Sequence, residues 1–109
     1  MLEPTDLEQF NQHLQSDGAV LVLFGGAHCG VCQVIKPKLE SLISGQFPDI
    51  TLLYVDCERQ PGICGQSVVF SLPTVKLFLD GQLSLEKSRS FSLMELEREL
   101  GRLIELWRP

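Results

Sequence analysis

The chain has 109 residues, of which 44% are hydrophobic and 21% are charged, and its net charge is -5 at pH 7. This length and composition are typical of one globular domain around one hydrophobic core, so we expect a single domain over residues 1–109. Because nucleic acids and anionic membranes attract clustered Lys and Arg, the acidic balance argues against both as main partners, and a protein or a small thiol fits better.

The start of the chain, MLEPTDLEQF, carries acidic residues where an export signal would carry basic ones, and no apolar segment follows it. These features predict a cytoplasmic protein. No apolar run approaches the roughly 18 residues that a membrane-spanning helix needs. Because the cytoplasm is reducing, permanent disulfides are not expected there, and some of the four cysteines are predicted to take part in chemistry.

A helix and then a buried strand are predicted in the first quarter of the chain. Thr5 and Glu8 have the spacing of a capping box, apolar residues follow at helical spacing, and Asp17-Gly18 predicts the helix end. The run AVLVLF at 19–24 shows no polar alternation. A strand that is covered on both faces has this pattern, so we expect it near the centre of a sheet.

A second helix is predicted to begin around the cysteine at position 32 and to end near Gly45, with a kink at Pro37. A second apolar strand, TLLYV at 51–55, comes next. The segment after it contains two cysteines and RQPG, and we interpret it as a loop with a short helix near 61–69. The apolar face of the second helix consists of Ile35, Leu39, Leu42 and Ile43.

The last third of the chain predicts a hairpin. TVKLFL at 74–79 and QLSLEK at 82–87 flank Asp80 and Gly81, and Asp-Gly favours the positive φ angles of a type I′ turn. The second of these strands alternates polar and apolar residues. This alternation is typical of a strand at a sheet edge.

A final helix, with Ser92 and Glu95 as its capping box, completes the order α-β-α-β-α-β-β-α. Helical crossovers imply parallel strands, and the hairpin implies an antiparallel pair. We therefore predict an α/β fold with a central mixed sheet of about four strands and helices on both faces. The apolar stripe of the last helix, which we interpret as core packing, consists of Leu93, Leu96, Leu100, Leu103, Ile104 and Trp107.

The segment GGAHCGVCQV places Cys29 and Cys32 three residues apart, between the buried strand and the second helix. Helix positions i and i+3 are close enough for a disulfide, so the pair can open and close without disturbing the fold. Free N–H groups at a helix N-terminus stabilise a thiolate, which favours Cys29 as the nucleophile. Cys32 lies further into the helix, where it is more shielded and can attack a mixed disulfide formed at Cys29.

The cysteine pair stands among further motifs: AVLVLF before it, Pro37 after it, YVD at 54–56, LPT at 72–74, FLDG at 78–81 and the closing amphipathic helix. Together with CGVC they resemble the thioredoxin family over nearly the whole chain. The resemblance implies a thioredoxin-like fold, thiol–disulfide exchange at the two cysteines, and no cofactor other than their redox-active disulfide. It also implies a cis peptide bond before Pro73, with Leu72 and Pro73 receiving an extended substrate segment.

The residues next to the cysteines depart from those of thioredoxins. His28 stands where thioredoxins have Trp; a protonated imidazole there would favour the Cys29 thiolate, and an exposed His without a special role is the alternative. Gly30-Val31 stands in place of Gly-Pro, and a change between the cysteines can reverse the favoured direction of the reaction. We assign His28, Gly30 and Val31 to the substrate-binding surface.

Other departures concern charge and the start of the fold. Leu23 and Leu52 stand where the family has a buried Asp, which relays a proton for Cys32, and its neighbouring Lys; losing both leaves no unpaired buried charge. Arg89 aligns with a small residue of the docking loop, where it would select an acidic partner or have no specific role. The first strand of the family is short or missing, since MLEP leaves few residues for it.

Cys57 and Cys64 have no counterpart in the family's catalytic motif. Three fates stay open: a second disulfide, a pair of regulatory thiols, or small buried residues, the last being the commonest for cysteines outside a motif. A zinc or iron–sulfur site is disfavoured because the second pair is spaced too widely for C-x-x-C and no paired His completes a ligand set. We therefore predict no metal.

The predicted function is that of a thiol–disulfide oxidoreductase acting on protein disulfides through Cys29 and Cys32, as part of cell redox homeostasis. Its partners would be protein disulfide substrates and a thiol reductant or reductase, and we expect a monomer. The alternative is a binding or assembly module with weak redox turnover, which the departures at Leu23, His28 and Arg89 suggest.

Overall fold

The structure, a computed structural model, describes residues 1–108; Pro109, the last residue of the predicted domain, lies outside the described residues. None of the helices within residues 1–108 combines the length and the apolar composition that crossing a bilayer requires. The elements follow the predicted order: α1 (Leu7–Ser16), β1 (Ala19–Gly25), α2 (Gly30–Gln46), β2 (Thr51–Asp56), α3 (Pro61–Gln66), β3 (Thr74–Leu79), β4 (Gln82–Ser88) and α4 (Leu93–Trp107).

The strands form one mixed sheet in the order β2-β1-β3-β4. β1 runs parallel to β2 and antiparallel to β3, and β3 pairs antiparallel with β4. The helical crossover from β1 to β2 enforces the parallel pair, whereas the two-residue turn from β3 to β4 enforces the antiparallel one. The predictions of a mixed sheet, of an inner position for β1 and of an edge position for β4 are confirmed.

The core lies on both faces of this sheet, and β1 contributes to both. All seven of its residues are buried. Ala19, Leu21 and Leu23 pack with α2 and α4, and the intervening even-numbered residues pack with α1 and α3. Because successive strand side chains point to opposite faces, a strand between two helical layers needs apolar residues at every position, which explains the unbroken run AVLVLF.

The capping box predicted at Thr5 and Glu8 is wrong by one residue. The N-cap is Asp6, whose Oδ1 accepts the N–H of Gln9 at 2.8 Å. Thr5 instead donates its N–H and its hydroxyl to the Gln9 Oε1, at 3.0 and 3.1 Å. Aspartate and threonine are both good N-caps, and here the carboxylate next along the chain takes the position.

The third helix was predicted near 61–69, but it ends at Gln66 and is therefore shorter. Val68 has a φ of 56°, which lies outside the right-handed helical region. The local pattern of apolar residues gave no signal for this left-handed position. The helix end is thus set by the path of the loop rather than by composition.

The predicted hairpin turn and the predicted cap of α4 at Ser92 are confirmed. Asp80 and Gly81 have φ angles of 52° and 84°, as a type I′ turn requires. The Ser92 hydroxyl accepts the N–H groups of Met94 and Glu95 at 3.1 and 3.2 Å at the start of α4. Both features depend on neighbouring residues alone, so the sequence was sufficient to predict them.

The first family strand is reduced to a single bridge at Leu2. Its N–H donates to the Leu52 carbonyl oxygen at 3.0 Å, and its carbonyl oxygen accepts the Tyr54 N–H at 2.8 Å. The chain therefore begins beside β2 without forming a full strand, as the short segment before α1 predicts.

The parallel pairing of β1 with β2 positions the functional site. Gly25 pairs with Asp56 at the ends of the two strands, and the Cys57 N–H donates to the Gly25 carbonyl oxygen at 2.8 Å. The loop that leads into Cys29 therefore lies against the loop that follows β2. Residues from both loops can meet at this edge of the sheet.

Candidate active site

The Cys29–Cys32 pair lies where β1 leads into α2. Cys29 is the N-cap of the helix, its Sγ accepts the Cys32 N–H at 3.3 Å, and the two Cα atoms are 5.2 Å apart. The two sulfurs form a disulfide. Cys29 is partly exposed, whereas Cys32 is fully buried. An incoming sulfur therefore reaches Cys29 first.

The N-terminus of α2 gives Cys29 surroundings that favour negative charge. The helix is 17 residues long and has no acidic residue in its first turn. Its free N–H groups and its dipole therefore act on Cys29 without a competing carboxylate from the same turn. Once the disulfide is reduced, these groups stabilise a thiolate at Cys29.

An open groove of about 730 Å³ lies beside the pair. It brings together four residues predicted for the site, namely Val31, Leu72, Pro73 and Arg89. The Leu72–Pro73 peptide bond is cis. The lining is mainly apolar, with one basic and one acidic side chain. Its remaining members are Ile35, Ser90, Phe91, Ser92 and Glu95.

Arg89 is exposed and has a φ of 64°, in the left-handed region that non-glycine residues seldom adopt. Its N–H donates to the Pro73 carbonyl oxygen at 2.9 Å, which ties this loop to the groove. Glu95 lines the same groove, so the charge of Arg89 has an acidic neighbour there. Selection of an acidic partner by Arg89 stays a prediction.

The groove lining leaves out two other predicted residues, His28 and Gly30. Gly30 is exposed, and a Cβ placed on it would meet no atom within 4 Å. This position therefore has room for a side chain. His28 lies on the loop before Cys29, with 88% of its side chain exposed.

His28 is held by Glu58, which follows β2. Its N–H donates to the Glu58 Oε2 at 3.1 Å, and its Nδ1 lies 2.6 Å from the Glu58 Oε1. A Cβ on Gly26 would lie 3.0 Å from the same Oε2, so glycine at that position makes room for the carboxylate. His28 is exposed, but it has a specific partner that the sequence analysis missed.

The contact between His28 and Glu58 shifts the pKa of both side chains. The hydrogen bond that His28 donates to Glu58, and next the negative charge of Glu58, raise the pKa of His28 above its ordinary value of 6.5. The same hydrogen bond lowers the pKa of Glu58 below its ordinary value of 4.5. The two directions agree, and the imidazolium form beside Cys29 therefore persists to higher pH than in a free histidine.

Leu23 and Leu52 are buried in the cluster beneath α2 and α4, at 0% and 8% exposure. The positions at which thioredoxins have a carboxylate and an ammonium group are thus both apolar here. Neither leaves an unpaired charge in the core, which agrees with the expectation that the two were lost together.

Cys57 and Cys64 form a second disulfide, with Cα atoms 5.7 Å apart. The commonest fate, that of unlinked small buried residues, is therefore wrong for this pair, as is the expectation from compartment that such a disulfide is absent. The Gln60 N–H donates to the Asp56 carbonyl oxygen and the Cys64 N–H to the Gln60 carbonyl oxygen, at 2.8 and 3.3 Å. This winding turns α3 back onto the end of β2 and brings the sulfurs together.

The described part of the chain offers no metal site. No group of three or more His, Cys, Asp or Glu side chains that could hold a metal ion occurs within residues 1–108. The four cysteines of this region are divided between two disulfides, and none of them is free.

Three residues of the site were missed by sequence analysis. Phe91 lines the groove, Glu58 pairs with His28, and Tyr54 borders, together with Cys32, the space beside Gly25. A signal existed for Glu58, because the carboxyl ends of neighbouring parallel strands meet at one edge of a sheet. Phe91 and Tyr54 have no such signal, since both look like ordinary apolar packing residues.

Comparison with known proteins agrees with this geometry. The thioredoxin family model matches residues 2–101. A thioredoxin of Chlamydia trachomatis is 36% identical over 95 residues, which cover 87% of this chain and 88% of that protein. The solved structure of mitochondrial thioredoxin 3 from Saccharomyces cerevisiae, in its oxidized form, is similar with a TM-score of 0.84 at 25% identity, and the match covers 94% of each chain.

Two longer relatives match over part of their length. A probable protein disulfide-isomerase ER-60 of Schistosoma mansoni is 37% identical over 72% of this chain and 17% of its own length. A bifunctional thioredoxin reductase/thioredoxin of Mycobacterium leprae is 36% identical over 74% of this chain and 18% of its own length. This chain therefore matches less than a fifth of either protein.

Proposed function

The chain belongs to the thioredoxin family of thiol–disulfide oxidoreductases, and we propose that it acts on protein disulfides through Cys29 and Cys32. The observation that carries the proposal is the asymmetry of the pair beside an open groove. Cys29 is partly exposed at a helix N-terminus, and Cys32 is buried behind it. The groove has room for an extended peptide segment, and its wall includes Leu72 and Pro73.

The reaction takes place in two exchanges. The Cys29 thiolate attacks one sulfur of a substrate disulfide, and the other substrate sulfur leaves as a thiolate that takes a proton from water. Cys32 then attacks the Cys29 sulfur, and the first substrate sulfur leaves in the same way. The dithiol loses two electrons, the substrate gains them, and the protein ends with the Cys29–Cys32 disulfide.

A second partner must return the two electrons. We assign this task to a small thiol or to a reductase, and the Mycobacterium leprae relative, whose name combines a thioredoxin reductase with a thioredoxin, supports the reductase. The couple itself would then be the redox centre, without a further cofactor. Participation in cell redox homeostasis and a cytoplasmic location stay predictions, which tagged protein in fractionated cells would test.

Reduction of a model protein disulfide, with a dithiol as electron source, tests the proposal. Wild-type protein is expected to turn over, and Cys29→Ser is expected to have no activity because the attacking sulfur is gone. The matched control is Cys57→Ser with Cys64→Ser, which removes the other disulfide and is expected to retain activity. An inactive wild type, or equal activity in Cys29→Ser, would show that the proposal is wrong.

A trapping experiment separates this function from that of a binding module. Cys32→Ser cannot complete the second exchange, so its client proteins are expected to stay linked to Cys29 until reductant releases them. A binding module would instead form reductant-insensitive complexes, in equal amounts with a Cys29→Ser, Cys32→Ser protein. The burial of Leu23 at the position of the family's proton relay is the observation that favours this second function.

The reduction potential of the couple gives the direction of the reaction. Titration against a series of glutathione mixtures measures it directly. A potential well below that of the glutathione pool would indicate a reductase, whereas a potential close to the pool would indicate exchange or isomerisation.

A further inference from the structure

Cys32 must carry a thiolate before it can attack the mixed disulfide, yet it is fully buried. A buried negative charge is costly unless a hydrogen-bond donor faces it. Leu23, at the position of the family's carboxylate, is apolar and offers neither a donor nor a base. Another polar group close to Cys32 would remove part of this cost.

Tyr54 brings a hydroxyl to this place. It is the neighbour of Leu23 on the parallel strand β2 and is only 4% exposed. A Cβ added to Gly25 would lie 3.1 Å from the Cys32 Cβ and 3.1 Å from the Tyr54 hydroxyl oxygen. Both atoms therefore border the same space beside Gly25, which has no side chain to fill it.

The surroundings of Tyr54 keep its hydroxyl protonated. Burial, and next the charge of Asp56, raise the pKa of Tyr54 above its ordinary value of 10.0, and a hydrogen bond with the Gln33 side chain acts in the opposite direction. The Lys36 Nζ lies over the ring, 3.9 Å from its centroid. The phenol is therefore a donor and not a base at neutral pH. The other charged residues around it are Glu3 and Glu58, which raise its pKa further, and Arg59.

A small cavity of about 110 Å³ reaches Tyr54 from the surface. Its lining includes Glu3, Asp56 and Arg59, so the cavity is polar. A polar cavity of this size can hold water. Water in this cavity can therefore come close to Tyr54.

We propose that the Tyr54 hydroxyl donates a hydrogen bond to the Cys32 thiolate during the second exchange. The inference rests on the proposed function, because it assigns a hydrogen-bond donor to the resolving step of that reaction. The proposal requires that, once the Cys29–Cys32 bond is open, the Cys32 side chain turns about its Cα–Cβ bond to bring the sulfur within hydrogen-bond distance of the hydroxyl.

The step balances without a further reactant. The Cys32 thiol gives its proton to water, and the thiolate accepts the hydrogen bond of Tyr54, which keeps its own proton. The thiolate then forms a bond to the Cys29 sulfur, and the bond from that sulfur to the substrate breaks. The electron pair leaves with the substrate sulfur, which takes a proton from water.

Titration of the chemically reduced protein tests this inference without any client. The Cβ resonance of ¹³C-labelled cysteine reports the protonation of each thiol separately. Tyr54→Phe is expected to raise the titration midpoint of Cys32 by about one unit or more, because a hydrogen bond to a charged group is lost. Resolution of a mixed disulfide is expected to slow about three- to tenfold, since the smaller thiolate fraction is partly offset by higher nucleophilicity.

Two further variants keep the result interpretable. Leu52→Val trims a buried neighbour on the same face of β2 and is expected to lower stability while leaving the Cys32 midpoint unchanged. Gly25→Ala retains the hydroxyl but places a methyl group between it and Cys32, so it is expected to raise the midpoint as well. This second variant serves if Tyr54→Phe does not fold.

The result that would overturn the inference is a Cys32 midpoint that stays the same in both Tyr54→Phe and Gly25→Ala. The outcome is independent of the proposed function, which fails instead if the wild-type protein does not reduce a protein disulfide. If the wild-type protein is inactive but Tyr54→Phe and Gly25→Ala still raise the Cys32 midpoint, the hydrogen bond is supported and the proposed reduction of protein disulfides is rejected.

Discussion

The two disulfides of this chain lie in opposite surroundings. Cys29–Cys32 caps a helix of 17 residues, and its first cysteine is partly exposed beside an open groove. Cys57–Cys64 joins the end of β2 to a helix of six residues, and Cys64 is buried in the apolar cluster beneath α1 and α3. The bond is chemically the same in both places, but the access and the electrostatics differ.

This difference teaches that the surroundings of a cysteine pair, and not its presence, indicate exchange chemistry. A long helix N-terminus and a groove for substrate favour attack at Cys29. Neither Cys57 nor Cys64 lines the groove, and Cys64 is buried in the core. We expect it to act mainly as a cross-link.

Removal of the second disulfide tests this division and should have the largest effect on stability. Cys57→Ser with Cys64→Ser is expected to lower the free energy of unfolding by about 2 kcal/mol, because the unfolded chain gains the entropy of an open loop. Denaturant unfolding of the oxidised proteins measures the change. Activity that falls to the level of Cys29→Ser would contradict the division, because it would give the second pair a part in the reaction.

Glycine substitutions beside each disulfide sharpen the comparison. Gly25→Ala is expected to destabilise the protein by about 1 kcal/mol, because the new methyl group would lie 3.1 Å from Cys32 and from Tyr54. A Cβ on Gly65, the exposed residue next to Cys64, would meet no atom within 4 Å, so Gly65→Ala is expected to stabilise α3 by about 0.5 kcal/mol.

Thermal unfolding of both glycine variants under the same conditions gives the two changes. The two changes in stability are expected to have opposite signs, with Gly25→Ala destabilising and Gly65→Ala stabilising the protein. Equal destabilisation by the two substitutions would contradict the difference between the two sites, since a Cβ on Gly25 would press against Cys32 and Tyr54 and a Cβ on Gly65 would meet no atom.

The smallest effect is expected at Glu58, which follows Cys57 in sequence and contacts the residue before Cys29. Glu58→Gln removes the carboxylate that holds His28, so the pKa of His28 is expected to fall toward its ordinary value of 6.5. NMR titration of the imidazole measures it, with His13 as the internal control. An unchanged titration of His28 would show that the contact is not maintained in solution.

The effect of Glu58→Gln on stability is expected to depend on pH. The raised pKa of His28 means that the pair stabilises the fold fully below 6.5 and loses this contribution as the pH rises through the shifted value. The lowered pKa of Glu58 means that the contribution is present above 4.5 and is lost as the pH falls through the shifted value. The stability difference between wild type and Glu58→Gln should therefore be largest between 4.5 and 6.5.

Most of the fold could be predicted because its signals are local. The unbroken apolar run of β1, the Asp80-Gly81 turn and the Ser92 cap each depend on neighbouring residues, and the structure has all three. The errors occur where two local solutions compete or where the loop path matters. Asp6 replaces Thr5 as the cap of α1, and Val68 adopts a positive φ just beyond the end of α3.

The site was predicted in part for the same reason. Cys29, Cys32 and Pro73 belong to short motifs, which are readable without a structure. Glu58 lies 30 residues from His28, and only the parallel pairing of β1 with β2 indicates that the two can meet. The groove likewise brings Val31 and Arg89 together from distant segments.

The sequence by itself determined the order of the elements, the mixed sheet and the cysteine pair at a helix start, because periodicity and spacing along the chain encode them. Only the tertiary structure decided which side chains meet across loops and strands: Glu58 with His28, Cys57 with Cys64, and Tyr54 with Cys32. The first and third contacts join segments that the parallel pairing of β1 with β2 brings to one edge of the sheet, and the second depends on the winding of the chain from β2 into α3. Their geometry depends on register and on the path of each loop, and neither is visible in a local pattern.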